Sequence, residues 1–566
     1  MPNFIPAEFD PSTFENIEPL GEALLRRPIN SPSELEQWLL DASEFACAIS
    51  EHRARIRINY SCHTDDERIE KLFMDFVENI QPRLDPLFFE LQRKYVDCPW
   101  RETIETTPRL QQLGRSWQAD VEVFREENVP LATQITRVVS QYDKLCAAME
   151  VTFDGRTRTL QQMTRYQEAT DRGVREQTWR LVADRRLVDR EAVDELFDQT
   201  IALRQRIAGN AGFDDFRAYS WKARHRFDYG VDECHAFADA VEQVVVPVVD
   251  ELDRQRRQTL DLDALRPWDL AVDPKGRAPL EPFDPNDVDG FVARTRQIFD
   301  RIDPRLGEQF GRLKMERNLD LESRKGKRPG GYQAALEMSC EPFIFMNAAG
   351  VQRDVETMLH EGGHAFHFMA SCSEPLVFVR HAPLEFCEVA SMSMELLGAP
   401  HLDVFYDEAA HQRAVRKHLE GRLRILPWIA TIDQFQHWLY THPEHSRDER
   451  TAAWLDVHDR FGGDAVDWSG LDAEREAMWQ RQIHLFHHPF YYIEYGIAQL
   501  GALGVWRNYQ QDAAQALTQL LDAFALAGTR PLPELFETAG IPFRFDAETV
   551  RTLIAGLREE LEAVGV

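Results

Sequence analysis

A mostly α-helical fold with a small mixed β-sheet is predicted for this chain, and three observations predict it. Long stretches repeat apolar residues at helical spacing, strand signals are few, and neither a low-complexity linker nor an internal repeat divides the 566 residues. A single two-lobed body is therefore expected, with residues 1–150 as an N-terminal helical region and 151–566 as the region carrying the chemical motifs. The helical stretches are Asp65 to Gln92, Glu176 to Ala208 and Val231 to Thr259, with acid and base four residues apart on their outer faces. Asp261 to Asp289, rich in Pro and Asp, is expected to cross between helical regions as an extended loop. Pro342 to Asn347 is a strand candidate, and Gly330-Gly331-Tyr332 opens the segment before it. The two are expected to pair as a hairpin, with 342–347 as a Pro-bearing edge strand. Helices are expected over 354–370 and 383–398.

The first of those two helices holds the most specific signal, Met358-Leu-His-Glu-Gly-Gly-His-Ala-Phe-His367. Random order of the 18 histidines and the acids gives roughly 0.04 His-Glu-x-x-His matches in a chain of this length. On a helix, His360 and His364 lie about 6 Å of rise apart on one face, so two neutral imidazoles can bind one metal while Glu361 faces the adjacent cleft. That is a zinc-peptidase signature. Gly362 and Gly363 cost about 1 kcal/mol each inside a helix, so close approach of a substrate backbone or of a packed helix is expected there. His367 lies about 10 Å along the axis from His360, too far to share the ion, and is expected to pack or to support the ligands.

A catalytic zinc usually has three protein ligands and one open position, so a third must come from elsewhere. Pro383 to Leu397 carries Glu385, Glu388 and Glu395 among apolar neighbours, and a buried acid wants a partner. Glu388 and Glu395 share a face, which suits one as ligand and the other as acceptor for a ligand histidine; Glu385 is the one expected in solvent. In the C-terminal segment His484-Leu-Phe-His-His-Pro-Phe-Tyr-Tyr-Ile-Glu-Tyr495, the phenols of Tyr492 and Tyr495 share a helix face and can donate to developing negative charge without being charged themselves. His484, His487 and His488 compete for the histidine role beside them, and the same aromatics could form a plain packing stripe.

His360-Glu-x-x-His364 followed 24 residues later by Glu388-Val-Ala-Ser-x-x-x-Glu395 resembles the thimet oligopeptidase and oligoendopeptidase F family, in its shorter, Pz-peptidase-like branch. Pro342 to Asn347, Asp354 to His360 and His484 to Tyr495 are similar to the family's segments, and weaker similarity runs from about Arg165 to the C-terminus. The resemblance implies one Zn2+ per chain on His360, His364 and Glu388, Glu361 as general base, and Glu395 behind the ligands. It also implies His484, Tyr492 and Tyr495 on the oxyanion side, and a zincin-like core in which two helical lobes enclose a deep channel admitting short flexible peptides. Where the family usually has a bulky residue after the motif's glutamate, this chain has Gly362, which calls the rigidity of that helix into question.

The net charge of −30 and pI near 5.1 argue against nucleic-acid binding, which needs clustered positive charge. No apolar run approaches the length of a membrane span, and the N-terminus lacks a signal-peptide pattern, so a cytoplasmic protein without membrane partners is expected. The eight cysteines show no Cys-x-x-Cys pairing, which disfavours a disulfide framework or thiolate zinc site. Three functions fit the motifs: a zinc oligoendopeptidase cutting short peptides internally, a zinc carboxypeptidase or dipeptidase, and a peptide-binding protein with a structural metal. The second needs a cation for the substrate's terminal carboxylate, for which Arg324, Lys325, Lys327, Arg328 and Arg380 are candidates.

Overall fold

The computed structural model describes residues 4–324, 326–328 and 330–565; Lys325 lies outside the described residues. It is mostly helical. Helices from Phe14–Arg26 to Pro108–Val123 gather around their own core of Trp38, Phe45, Tyr95 and Leu113, and Leu376 and Val379 enter that core from far along the chain. A larger core runs through the remaining helices. A short hairpin, β1 (Glu150–Phe153) with β2 (Arg156–Thr159), stands apart from the main sheet.

Two of the predicted helical stretches are interrupted by π-turns next to prolines, which cannot donate to a helical carbonyl. Phe76–Ile80 precedes Pro82, and Val241–Val245 precedes Pro247. The third breaks at Asp189 into Arg172–Val188 and Arg190–Asn210. The predicted crossing from Asp261 to Asp289 carries only a 3₁₀ turn at Pro267–Asp269 before the next helix begins at Val288. It is anchored by fully buried Asp269, which accepts from Arg172 at 2.8 Å and Arg175 at 3.0 Å.

The main sheet is mixed, as expected, and has three strands in the order β3 (Leu319–Glu322), β5 (Glu341–Ala348), β4 (Tyr332–Leu336). β4 and β5 form the expected antiparallel pair, with Gln333 opposite Ile344. The edge assignment is corrected: β5, which holds Pro342 to Asn347, is central because β3 pairs with it in parallel, and β4 is the outer strand. Burial on both faces explains why Phe343 to Met346 reads as a continuous apolar run. Arg324 and Lys327 both bond Asp320 of β3, at 2.5 and 2.7 Å, and so fix the connection from β3 to β4.

From β5 the chain turns through Gly350, whose φ of 79° and closeness to the Phe283 carbonyl exclude a side chain, into the helix Gln352–Ser371. The Asp354 carboxylate accepts from the amides of Ala349 and Val351 and fixes this entry. The helix runs unbroken through its glycine pair. A Cβ on Gly362 would sit 2.5 Å from the Phe299 ring, and one on Gly363 would sit 2.6 Å from the backbone of Ala390 and Ser391. Of the two reasons expected for the glycines, a packed helix is the one observed: Val288–Ile302 against Gly362 and Leu384–Gly398 against Gly363.

Candidate metal centre

These two crossed helices bring three donors together. His360 Nε2 lies 3.4 Å and His364 Nε2 3.8 Å from Glu388 Oε2, and one donor atom of each residue falls within 4.8 Å of the others. The group suits an ion: donors of a tetrahedral zinc with bonds of about 2.0–2.1 Å stand roughly 3.3 Å apart. His360 Nδ1 is taken by Glu395 Oε1 at 2.8 Å, which turns Nε2 inward, and Arg422 holds the other Glu395 oxygen at 3.2 Å. Ser391 Oγ and Tyr491 Oη donate to the two oxygens of Glu388 at 3.1 and 3.2 Å. His360 and Glu388 are therefore both held from behind.

Charge follows the same arrangement. Burial would raise the Glu388 carboxyl, but its bond to His360 and the nearby His364 outweigh that and hold it at about 2. Glu395 is depressed likewise, against its burial, by Arg422 and His360. His364 is pushed down to about 4 by burial, despite Glu388, which leaves a neutral imidazole. Glu361, one residue from a donor but outside the group, is pushed up to about 7 by burial, with Glu388 adding to the shift and His360 and the Gln333 amide of β4 opposing it.

The C-terminal segment turns through Phe490, at φ 63°, into the helix Tyr492–Gln511. Its three histidines separate. His484 packs against the tyrosines, with ring centroids 4.9 Å from Tyr492, 5.7 Å from Tyr495 and 5.9 Å from Tyr491. His487 turns away to Asp143 at 2.8 Å, and His488 meets His487 and Tyr491 instead. Because Trp428 Nε1 donates to Gln482 Oε1, the Gln482 amide NH2 faces His484 Nδ1 at 2.7 Å, which leaves the proton of that ring on Nε2. Burial lowers His484 to about 4, so this N–H belongs to a neutral ring. Tyr495 shares a hydrogen bond with Tyr491, and burial and then Glu388 raise both phenols far above the ordinary value. Tyr492 lies instead against Trp428 and Gln482 and is raised to about 12, chiefly by burial.

The other predicted residues have different surroundings. His367 is buried against Phe386 and Phe524 at ring distances of 5.8 and 5.0 Å, a packing role. Glu385, expected in solvent, is buried and accepts from Tyr229 at 2.6 Å: it lies on the inward face of its first turn, while neighbouring Leu384 is the exposed residue there. Of the cations considered for a terminal carboxylate, Arg380 is buried on Glu337 at 3.0 Å and Arg324 and Lys327 are held by Asp320, while Arg328 is exposed. Sequence reasoning did not single out Tyr491, Arg422 or Gln482. Tyr491 precedes the helix and so breaks the spacing that marks Tyr492 and Tyr495, and Arg422 sits inside a 34-residue helix with no local mark.

Residues 297–553 match peptidase family M3, and residues 4–124 match the M3 peptidase N-terminal domain. Oligopeptidase PepF of Bacillus subtilis is 25% identical over 247 residues, a match spanning 42% of this chain and only 36% of that protein. The oligoendopeptidase F homolog of Mycoplasma pneumoniae is 20% identical over 481 residues, 77% of this chain and 75% of that one. A structure of PZ peptidase A with an inhibitor superposes with a TM-score of 0.91 at 27% identity, covering 99% of each chain. The fold, the crossed helices with their histidine and glutamate donors, and these matches together lead to one statement of kinship: the chain belongs to peptidase family M3.

Proposed function

We propose that this chain is a zinc-dependent oligoendopeptidase that hydrolyses internal bonds of short unstructured peptides in the cytoplasm. The observation that carries the proposal is the triangle of His360 Nε2, His364 Nε2 and Glu388 with the perturbed Glu361 beside it. A zinc ion held by those three residues would polarise the scissile carbonyl and acidify the attacking water. Glu361 accepts the water's proton and returns it to the leaving amine, for which a carboxyl near 7 is well matched. The His484 Nε2 proton is one donor to the oxyanion, the Tyr495 hydroxyl becomes the other by releasing Tyr491, and Tyr492 supports His484 through Gln482. The outer strand β4, whose Gln333 amide is next to Glu361, is where an extended peptide would add by backbone pairing, in a channel between the helical lobes.

A terminal-residue peptidase is less well supported, because Arg380, Arg324 and Lys327 are spent on internal carboxylates. The test is to digest peptides of graded length and one folded protein with the zinc-loaded chain and with Glu361→Gln, mapping products by mass spectrometry. Internal cuts confined to short peptides are expected, with zinc retained and the rate reduced on the order of 10³-fold or more in the variant. Release of single terminal residues, or an active variant, would refute the reading.

A further inference from the structure

Behind the Phe490 corner lies another group of metal-binding atoms, outside the centre described above. Cys234 comes from the helix Val231–Ala240, and Asp433 and His437, four residues apart on one face, come from the long helix Glu408–Thr441. They are 1, 0 and 4% exposed, and one donor atom of each lies within 4.8 Å of the others. Asp433 Oδ2 is 3.3 Å from His437 Nε2. Asp433 Oδ1 and both ring nitrogens of His437 have no hydrogen bond among the described residues. Bare polar atoms in a protein interior are costly, and a bound cation relieves a carboxylate, an imidazole and a thiol together. Arg226, the nearby cation, gives Nη2 to Glu494 at 2.8 Å; its Nε and Nη1 have no hydrogen bond among the described residues, so they leave Asp433 Oδ1 and the His437 ring bare.

We propose that Cys234, Asp433 and His437 hold a second divalent ion of the zinc type, closed to substrate and structural in purpose. The donor set favours zinc, since thiolate and imidazole select it over magnesium or calcium. Binding exchanges the Cys234 thiol proton, released to solvent, for the ion. A nucleophilic Cys–His–Asp arrangement is the other use of these residue types, and burial of all three denies it a substrate. What the ion fixes is visible in the contacts: the His437 ring packs on Phe490 at 5.5 Å and on Trp221 at 5.6 Å, and Gln436 accepts from the Phe490 amide at 2.6 Å. It thereby joins two helices at the corner that launches Tyr491, Tyr492 and Tyr495. The inference stands apart from the proposed peptidase activity.

The test counts metal and reads its ligands in the full-length protein. After expression with added zinc, two ions per chain are expected in the wild type, and one in either the His360→Ala/His364→Ala double variant or Cys234→Ser. The cobalt-substituted protein should show a near-ultraviolet sulfur-to-cobalt charge-transfer band. That band should persist in the double variant and in Cys387→Ser, which removes the thiol next to Glu388, and disappear in Cys234→Ser. If Cys234→Ser does not fold, the double variant, with Cys234 intact, decides alone. One ion in the wild type, no sulfur band in the double variant, or a band that survives Cys234→Ser would overturn the proposal.

Discussion

Single hydroxyls and nitrogens divide the labour around the proposed zinc. Tyr492 and Tyr495 share a helix face, yet their hydroxyls meet different partners, Gln482 and Trp428 in one case and Tyr491 with the field of Glu388 in the other. Tyr495→Phe is therefore expected to lower kcat by about 10²-fold or more with KM nearly unchanged, as for loss of a transition-state donor. Tyr492→Phe should cost clearly less; steady-state kinetics on one internally quenched peptide compares them, and equal losses would contradict the division. The His360, Glu361 and His364 set was legible because it is local, two histidines four residues apart on one helical face with the glutamate between them. Glu388, Glu395 and His484 needed the family resemblance, since sequence distance says nothing of two helices crossing. Arg422 and Tyr491 were not legible at all, because each acts through a neighbour.

At the level of elements, the crossing of Gln352–Ser371 on Leu384–Gly398 depends on a missing side chain. Gly363→Ala would push against the backbone of Ala390 and Ser391 and should destabilise by about 1–3 kcal/mol while weakening zinc binding. Gly421, where a Cβ would meet nothing within 4 Å, is the control: Gly421→Ala should stabilise by about 1 kcal/mol, both read as thermal midpoints. The β3–β4 connection makes a different demand. Burial would raise the Asp320 carboxyl, but Arg324 and Lys327 hold it well below its ordinary 3.8. A depressed folded value means the stabilisation is full above 3.8 and is lost as pH falls through the lower folded value. Asp320→Asn should cost about 3 kcal/mol at neutral pH by leaving buried Lys327 unpaired, and that difference should shrink in strong acid; urea titrations at several pH values measure both. Helical periodicity and the hairpin were readable from spacing. The π-turns and the central position of β5 were not, because one depends on how a helix absorbs a proline and the other on pairing with the distant β3.

For the whole molecule, a charge of −30 surrounds any substrate that approaches. Lys-rich peptides should be cut with kcat/KM falling as salt is raised, and Glu-rich ones with kcat/KM rising, because screening removes attraction in one case and repulsion in the other. Initial rates across a salt series on a matched pair of peptides check this; parallel responses would count against long-range steering. The N-terminal core has a less obvious influence. It takes in Leu376 and Val379 from the stretch between the two donor-bearing helices, and the Glu51 carboxylate accepts from the amides of Met338 and Ser339 in the β4–β5 turn. For protein engineering, the first 124 residues are thus not an interchangeable cover. A chimera that exchanges them between relatives also replaces the clamp on the candidate metal centre, so working hybrids will need residues 337–339 and 373–383 to travel with the graft.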